Sequence, residues 1–594
     1  MTLQNDLQSA LGFLNQGKFK QALKQSKGGM KRHKNHPDFP NIAGICLSGL
    51  GKHRDAVPYF KKALALAPGF HDARKNMAQT LLFLQQGDSA IKLVERVLKD
   101  QPGDQAALYL KAQAQLVLND AKAAIDTATA ALARDARQPR MLRLRATAWS
   151  TLGDEKAMLA DYQAALKIDP NDADALQNIS LPLARLMRQE EATAAAEKAV
   201  AVAPQHVEAR RRLASQLISN GDTAAAREQC LALMELDPKD TQVLEMLARI
   251  NNRDQNADLL PIVQKALKAA PPRSLDRANV SFALARISDQ AGDKHAFAAH
   301  NDEANACMAA QNPYDYAESE RQFSRIIAAF PDPITPVQAK PEGPRPIYVV
   351  GMPRSGTTLT ETVIGLHPDV FPLGERGVPA FLLHPYLDND QGFTADAAHN
   401  FVAEDISRLP EMPQSTAAYV DKMPDNYRLL GHLAAAYPDA RFVHLCRDPR
   451  DVAMSIWRGY FSGSSLTYAY DLKAMAHRFN LYGRLMQHWR QVMPGRIYDL
   501  RYEDFVADIE GQSRKLAEFC GLEWVEDMAH PERHQGQVLT LSNTQVRQTA
   551  HTRSIGKWEN YADVLAPFID GLDPEIWPEL SPELQPEFQP EIKD

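Results

Sequence analysis

Residues 347–365 read IYVVGMPRSGTTLTETVIG, and the change of character inside this stretch decides the fold of the second half of the chain. Ile347-Tyr348-Val349-Val350 is a short apolar, partly β-branched run, which predicts a buried strand. From Gly351 to Thr358 follows a loop with a glycine at each bend, after which Leu359, Val363 and Ile364 recur at helical spacing. A strand, a glycine-bounded loop and a helix N-terminus aim several backbone N–H groups and the positive end of a helix dipole at one point. Such a point suits a phosphate.

The loop resembles the G-x-x-x-x-G-K-[ST] loop of ATPases, except that Thr357 stands where that motif requires lysine. Without the lysine, the outer phosphates of a nucleoside triphosphate lose their main cation, which argues against a P-loop kinase. Arg354 and the hydroxyls of Ser355, Thr357 and Thr358, with the backbone of Gly356, suit a single terminal phosphate and a leaving oxyanion instead. Three further apolar runs, Ala418-Tyr419-Val420, Phe442-Val443-His444-Leu445 and Ile497-Tyr498-Asp499-Leu500, alternate with helical stretches, predicting a P-loop-like α/β domain with a parallel sheet. Ligands of such sheets sit beyond the carboxyl ends of the strands. There, Arg447 opens an R-D-P-R segment and Ser455 follows eight residues later on the next helix, an arginine fork and a hydroxyl suited to a second phosphate.

P-R-S-G-T-T after a strand is similar to the 5′-phosphosulfate loop of the PAPS-dependent sulfotransferases, particularly the tyrosylprotein branch. The resemblance covers roughly residues 346–561 and implies a sulfotransferase fold. It places Arg447 and Ser455 at the nucleotide's 3′-phosphate, and Tyr502, in LRYEDF, beside the nucleotide. Lys422, in YVDKMPDN, matches the family lysine at the leaving oxygen. Ser542 and Lys557 keep the S-x-x-Q-V…K-W spacing, implying that Ser542 assists at the sulfate and Lys557 holds the nucleotide. Glu375, after His367-Pro368-Asp369-Val370, falls at the catalytic base, although Arg376 stands where the family pattern has a second acid. The implied reaction is in-line sulfuryl transfer from PAPS to a hydroxyl, leaving PAP, with no metal. The acceptor is left open among protein tyrosine, carbohydrate, lipid and small phenols. A second reading is a scaffold whose nucleotide-binding domain is catalytically inactive.

Residues 1–312 repeat themselves. Prolines 68, 102, 170, 204, 238 and 272 are spaced by 34 residues or twice 34, the tetratricopeptide period. Twelve residues before each register point lie Ala56, Ala90, Ala124, Met158, Ala192, Ala226 and Leu260, where the two helices of a repeat are expected to cross closely. This predicts an N-terminal all-α tetratricopeptide solenoid whose groove takes a peptide or protein partner. Lys18, Lys20, Lys24, Lys27, Lys31, Arg32 and Lys34 read as a solvated face. A proline-rich linker (313–345) leads to the sulfotransferase-like domain (346–566), and a PE-repeat tail (567–594) is left open between docking and remaining extended.

At 594 residues the chain exceeds one core. Its net charge of -7 gives no indication of nucleic acid, and no apolar stretch approaches a membrane span. Five scattered cysteines without metal-ligand spacing predict a reducing, cytoplasmic setting. Dimerisation is left open.

Overall fold

The computed structural model describes residues 2–337, 340–388, 392–461, 466–533 and 552–580. Its contacts divide the chain into two compact units, Met1–Leu183 and Ala184–Asp594, so the division falls inside the repeats.

In the first unit, antiparallel helices of twelve to fourteen residues follow one another from Leu3–Asn15 to Glu155–Ile168. Three of the second helices end just before a register proline, at Leu66, Asp100 and Ile168, where proline cannot donate the next backbone hydrogen bond. Ala56, Ala90 and Ala124 are fully buried, and Met158 nearly so. Side chains this small let neighbouring helices approach while Phe60, Met77, Val94 and Leu110 fill the space between them. The lysines of the N-terminal basic run are all exposed. On the inner surface a cavity of about 640 Å³ is lined by Asn41, Lys75, Asn76, Tyr109 and Arg140 among others.

The second unit begins with further repeat helices, in which Ala192 and Ala226 are fully buried. The expected position Leu260 departs from this pattern. The helix Arg253–Ala269 starts early, on a capping box between Asn252 and Gln255. That cap replaces the turn that would have kept the 34-residue register. Asn256, Leu259 and Val263 therefore face inward and Leu260 is only half-buried.

The sheet has five parallel strands in the order β2-β3-β1-β4-β5: β1 Arg345–Gly351, β2 Val370–Pro372, β3 Ala418–Asp421, β4 Arg441–Cys446 and β5 Ile497–Arg501. The edge strand β2 was not expected, since three residues ending in proline carry no period-2 signal. Alternate residues of β1 feed two cores. Ile347 and Val349 pack with Val443, Leu500, Val363 and Phe505, and Tyr348 and Val350 pack with Phe442, Tyr427 and Trp489. Trp489 is fully buried and donates its indole N–H to the Tyr427 carbonyl at 2.8 Å. The second core also takes Phe297 from the repeat helix Lys294–Gln311 and Phe323 from the next helix, Tyr316–Ala328.

Within residues 331–346, Ile334 N–H donates to Val492 O at 2.9 Å and Val337 N–H to Ala435 O at 3.0 Å, so this proline-rich segment is held against the sheet domain. At the start of the tail, Asp573 N–H donates to Asn480 at 3.0 Å, and Trp577 stacks on Tyr482. Ile576 lies where a side chain at Gly483 would be. Residues 581–594 lie outside the described residues.

The shared core makes a testable claim. Phe323→Ala should lower the unfolding free energy by about 3–5 kcal/mol. Tryptophan fluorescence in urea reads it, since five of the six tryptophans lie beyond residue 184. An unchanged midpoint would mean that the helix Tyr316–Ala328 and the sheet unfold independently.

Candidate active site

The site lies beyond the carboxyl ends of β1, β3 and β4. Gly351 closes β1 at φ 151°, where a Cβ would stand 3.0 Å from both the Leu445 carbonyl and the Ser355 hydroxyl. Gly356 has φ 112°, and a Cβ there would come within 2.5 Å of the Tyr502 ring. Both bends therefore require glycine. Arg354, between them, holds φ 72°, a left-handed conformation that costs a side-chain-bearing residue of order 1–3 kcal/mol and is characteristic of functional loops. The loop delivers its chain into the helix Thr357–Gly365, whose first residues, Thr357 and Thr358, are buried.

Because β4 pairs directly with β1, with Gly351 opposite Leu445, the residue after β4 arrives beside this loop. Arg447 donates to the Arg354 carbonyl at 3.1 Å and to the Ser554 carbonyl at 2.9 Å, and its guanidinium lies 4.3 Å from the Tyr502 ring centroid. The Tyr502 hydroxyl meets the Ser554 hydroxyl at 3.0 Å. Arg354 Nε donates to Ser455 Oγ at 3.0 Å. Arg354, Ser355, Gly356, Arg447, Ser455 and Tyr502 are thus brought to one cleft. Burial, and then the neighbouring Arg447, push the Arg354 guanidinium down to about 10. The Ser355 hydroxyl is buried, and neither it nor Arg447 Nε has a hydrogen-bond partner among the described residues. Orphaned donors beside two crowded cations fit a phosphate-bearing ligand.

The segment 552–561 is fastened to the same wall. Asp451 accepts from Gly556 N–H at 2.8 Å and Trp558 N–H at 3.1 Å, and Arg450 stacks on Trp558 at 4.1 Å. Lys557 lies between these anchors with its side chain exposed. Ser542 lies outside the described residues.

A family model described as the sulfotransferase family matches residues 346–526. This part of the chain is a sulfotransferase-family domain. Tetratricopeptide-repeat models match residues 47–112 and 185–241. An uncharacterized protein of Aquifex aeolicus is 27% identical over 405 residues, covering 63% of this chain and 52% of its own length. A putative protein-tyrosine sulfotransferase of Caenorhabditis briggsae is 26% identical, covering 36% of this chain and 80% of its own. Cytosolic sulfotransferase 14 of Arabidopsis thaliana is 26% identical, covering 34% and 59%. The chain thus spans about half the length of the Aquifex relative.

On the β3 side of the sulfotransferase domain, Lys422 is fully buried and donates to Glu375 at 2.6 Å. The Glu375 side chain is 43% exposed, so its carboxylate is open to solvent. A third member, Glu361, was not singled out from the sequence. Its carboxylate lies 3.9 Å from Lys422 and accepts from Gly374 N–H at 2.7 Å, while Lys422 N–H donates to Gly374 O at 3.0 Å. One buried acid thus ties the helix after the loop to the turn that carries Glu375. The available signal was a lone carboxylate among the apolar positions of that helix. Arg376, at the place of the family's second acid, turns inward and pairs with Asp405 at 2.8 Å and Asp421 at 3.4 Å, serving the core rather than the cleft.

Strand pairing also gathers His444, Cys446 and Asp499, which no spacing in the sequence announces. Arg490 already holds both Asp499 oxygens at 2.8 Å and His444 contacts the Tyr482 hydroxyl, so the group is a closed ionic network.

Burial pushes the Glu361 carboxyl up from 4.5 to about 7. The unfolded chain releases this proton near 4.5 while the folded one keeps it to about 7, so stability is lost as pH rises through that window. Glu361→Gln should remove on the order of 3 kcal/mol of this pH dependence. Urea unfolding of both proteins at pH 5 and pH 8 reads the difference, and an equal gap at the two pH values contradicts it.

Proposed function

We propose that the protein is a PAPS-dependent sulfotransferase acting on a hydroxyl acceptor, with its repeats recruiting a protein partner or substrate. The single observation that carries this reading is the junction of Arg354, Ser455, Arg447 and Tyr502 at three neighbouring strand ends, those of β1, β4 and β5. Arg354 and Arg447, which meet there, lie 93 residues apart in the chain, and Tyr502 comes from a third segment.

Arg354, Ser355, Gly356, Thr357 and Thr358 hold the donor's 5′-phosphosulfate. Arg447 and Ser455 hold its 3′-phosphate, with Tyr502 and Lys557 beside the nucleotide. When bound, the donor supplies a sulfuryl group joined to a phosphate oxygen, which leaves carrying negative charge. Lys422 sits in a dry pocket where its cation acts strongly on such charge. Glu375, ion-paired with Lys422, accepts the proton of the attacking hydroxyl at its carboxylate. Ser542 is assigned the sulfate-side role implied by its motif. Fixing both ends of the donor leaves one line of approach for the acceptor, which is where positioning contributes to rate.

The groove of the first unit, with Asn41, Asn76 and Tyr109 offering hydrogen bonds along its floor, suits an extended peptide. All five cysteines are unpaired, and no helix among the described residues is long and apolar enough to cross a membrane. Both features are in keeping with a cytoplasmic protein.

Incubation of the full chain with radiolabelled PAPS and separate pools of tyrosine peptides, glycans and small phenols tests the reading. Label should pass to one pool. Glu375→Ala should lower transfer about 10²–10⁴-fold while PAP binding stays within about twofold. PAP binding without transfer to any pool would instead identify a nucleotide-binding scaffold.

A further inference from the structure

The first two repeats carry a charge that the rest of the chain does not. Residues 1–66 hold eleven basic and three acidic side chains, a net charge of +8 in a chain whose total is -7. On the helix Phe19–Arg32, Ala22, Ser26 and Gly29 are buried, while Lys20, Lys24, Lys27 and Lys31 recur at intervals of four, three and four residues and are all exposed. A period of about 3.6 residues aligns those lysines in one row facing away from the core. Thirty-four residues later, on the helix His53–Leu66, the exposed Arg54 and Lys61 repeat the positions of Lys20 and Lys27. Lys27 Nζ lies 5.8 Å from the centroid of the Tyr59 ring, which brings the two helices' outer faces together. One repeat further on, the same positions are Asp88 and Glu95, so the basic face ends there.

The acids of this region do not balance it. Asp6 is buried and holds Arg32 and His33, at 2.8 and 3.0 Å, and Asp38 pairs with His36. Only Asp55 remains for six exposed cations, none of which has an ion pair among the described residues. Lysines three and four apart on one helix face repel each other, so the row weakens its own helix, and packing gives no reason for it.

We propose that this face of the first two repeats is a docking surface for a membrane rich in anionic headgroups. The proposal is independent of the sulfotransferase reading. The groove suited to a peptide is lined by Asn41, Asn76 and Tyr109, from the first helices of successive pairs, whereas the basic face lies on second helices and points the other way. Five of its six cations are lysines, hydrated point charges without the planar fork that reads a base edge or grips a single phosphate. Spread over an open outer face, they suit many diffuse negative charges. An anionic bilayer attracts this end of the chain and repels the acidic remainder, so the same charges that bind also orient.

Co-sedimentation of the full chain with vesicles tests it, using phosphatidylcholine alone and a two-to-one mixture with phosphatidylglycerol. The chain should sediment with the mixed vesicles at about 0.1 M salt, leave them at about 1 M, and ignore phosphatidylcholine alone. Each lysine beside an anionic surface is worth about fivefold in binding, so the triple variant Lys20→Gln, Lys24→Gln, Lys31→Gln should bind about a hundredfold more weakly. Its thermal midpoint should stay with that of the unaltered chain, since all three side chains are exposed. Removing three exposed lysines of the later repeats, with Lys92→Gln, Lys99→Gln and Lys122→Gln, makes the same change in net charge and should cost about threefold at most. Equal losses in the two triple variants would reduce the effect to net charge and overturn the inference. No preference for the mixed vesicles at low salt would overturn it as well. Tighter binding of duplex DNA than of mixed vesicles, lost in the first triple variant, would make nucleic acid the occupant instead.

Discussion

Parallel pairing of β1 with β4 is the constraint on which the site depends. Gly351 and Leu445 are register partners, so the loop leaving β1 and the arginine after β4 leave the sheet side by side. The hydrogen bond from Arg447 to the Arg354 carbonyl is a direct consequence of that register. A one-residue slip would turn every β4 side chain to the opposite core, which the burial of Val443 and Leu445 on one face and Phe442 on the other forbids. The hydrophobic pattern of two strands thus sets the spacing of two cations.

Two buried ionic groups then separate the core from the chemistry. Arg376 pairs with Asp405 and Asp421, with Tyr437 donating to the second Asp405 oxygen at 2.8 Å. Lys422 shares Glu361 and Glu375. A buried charge that loses its partner is costly, so these residues are bound to one another more tightly than their positions in the chain suggest. Such groups hold the end of β3 and the turn at Gly374 in one geometry. The carboxylate of Glu375 thereby stands exposed on a rigidly held turn.

The repeats and the sheet are not separable at the boundary that composition suggests. Phe297 and Phe323 enter the sheet's core, and Trp457 is held by Asn301, Asn305 and Asp302. A solenoid ordinarily contacts only its own neighbours, and here its final helices take a folded domain as the next neighbour.

Local and periodic features could be read without coordinates. The strand, loop and helix around Gly351 are contiguous, and a 34-residue repeat is visible because each unit packs mainly on the next. The buried alanines at 56, 90, 124, 192 and 226 follow from that period. The departures have particular causes: a capping box moved the helix containing Leu260, and β2 is too short to carry a pattern. Glu361 beside Lys422 and the inward turn of Arg376 belong to the tertiary structure alone. Each depends on which elements lie next to one another in space. Pairing energies between residues tens to hundreds of positions apart leave no mark on the local order of the chain.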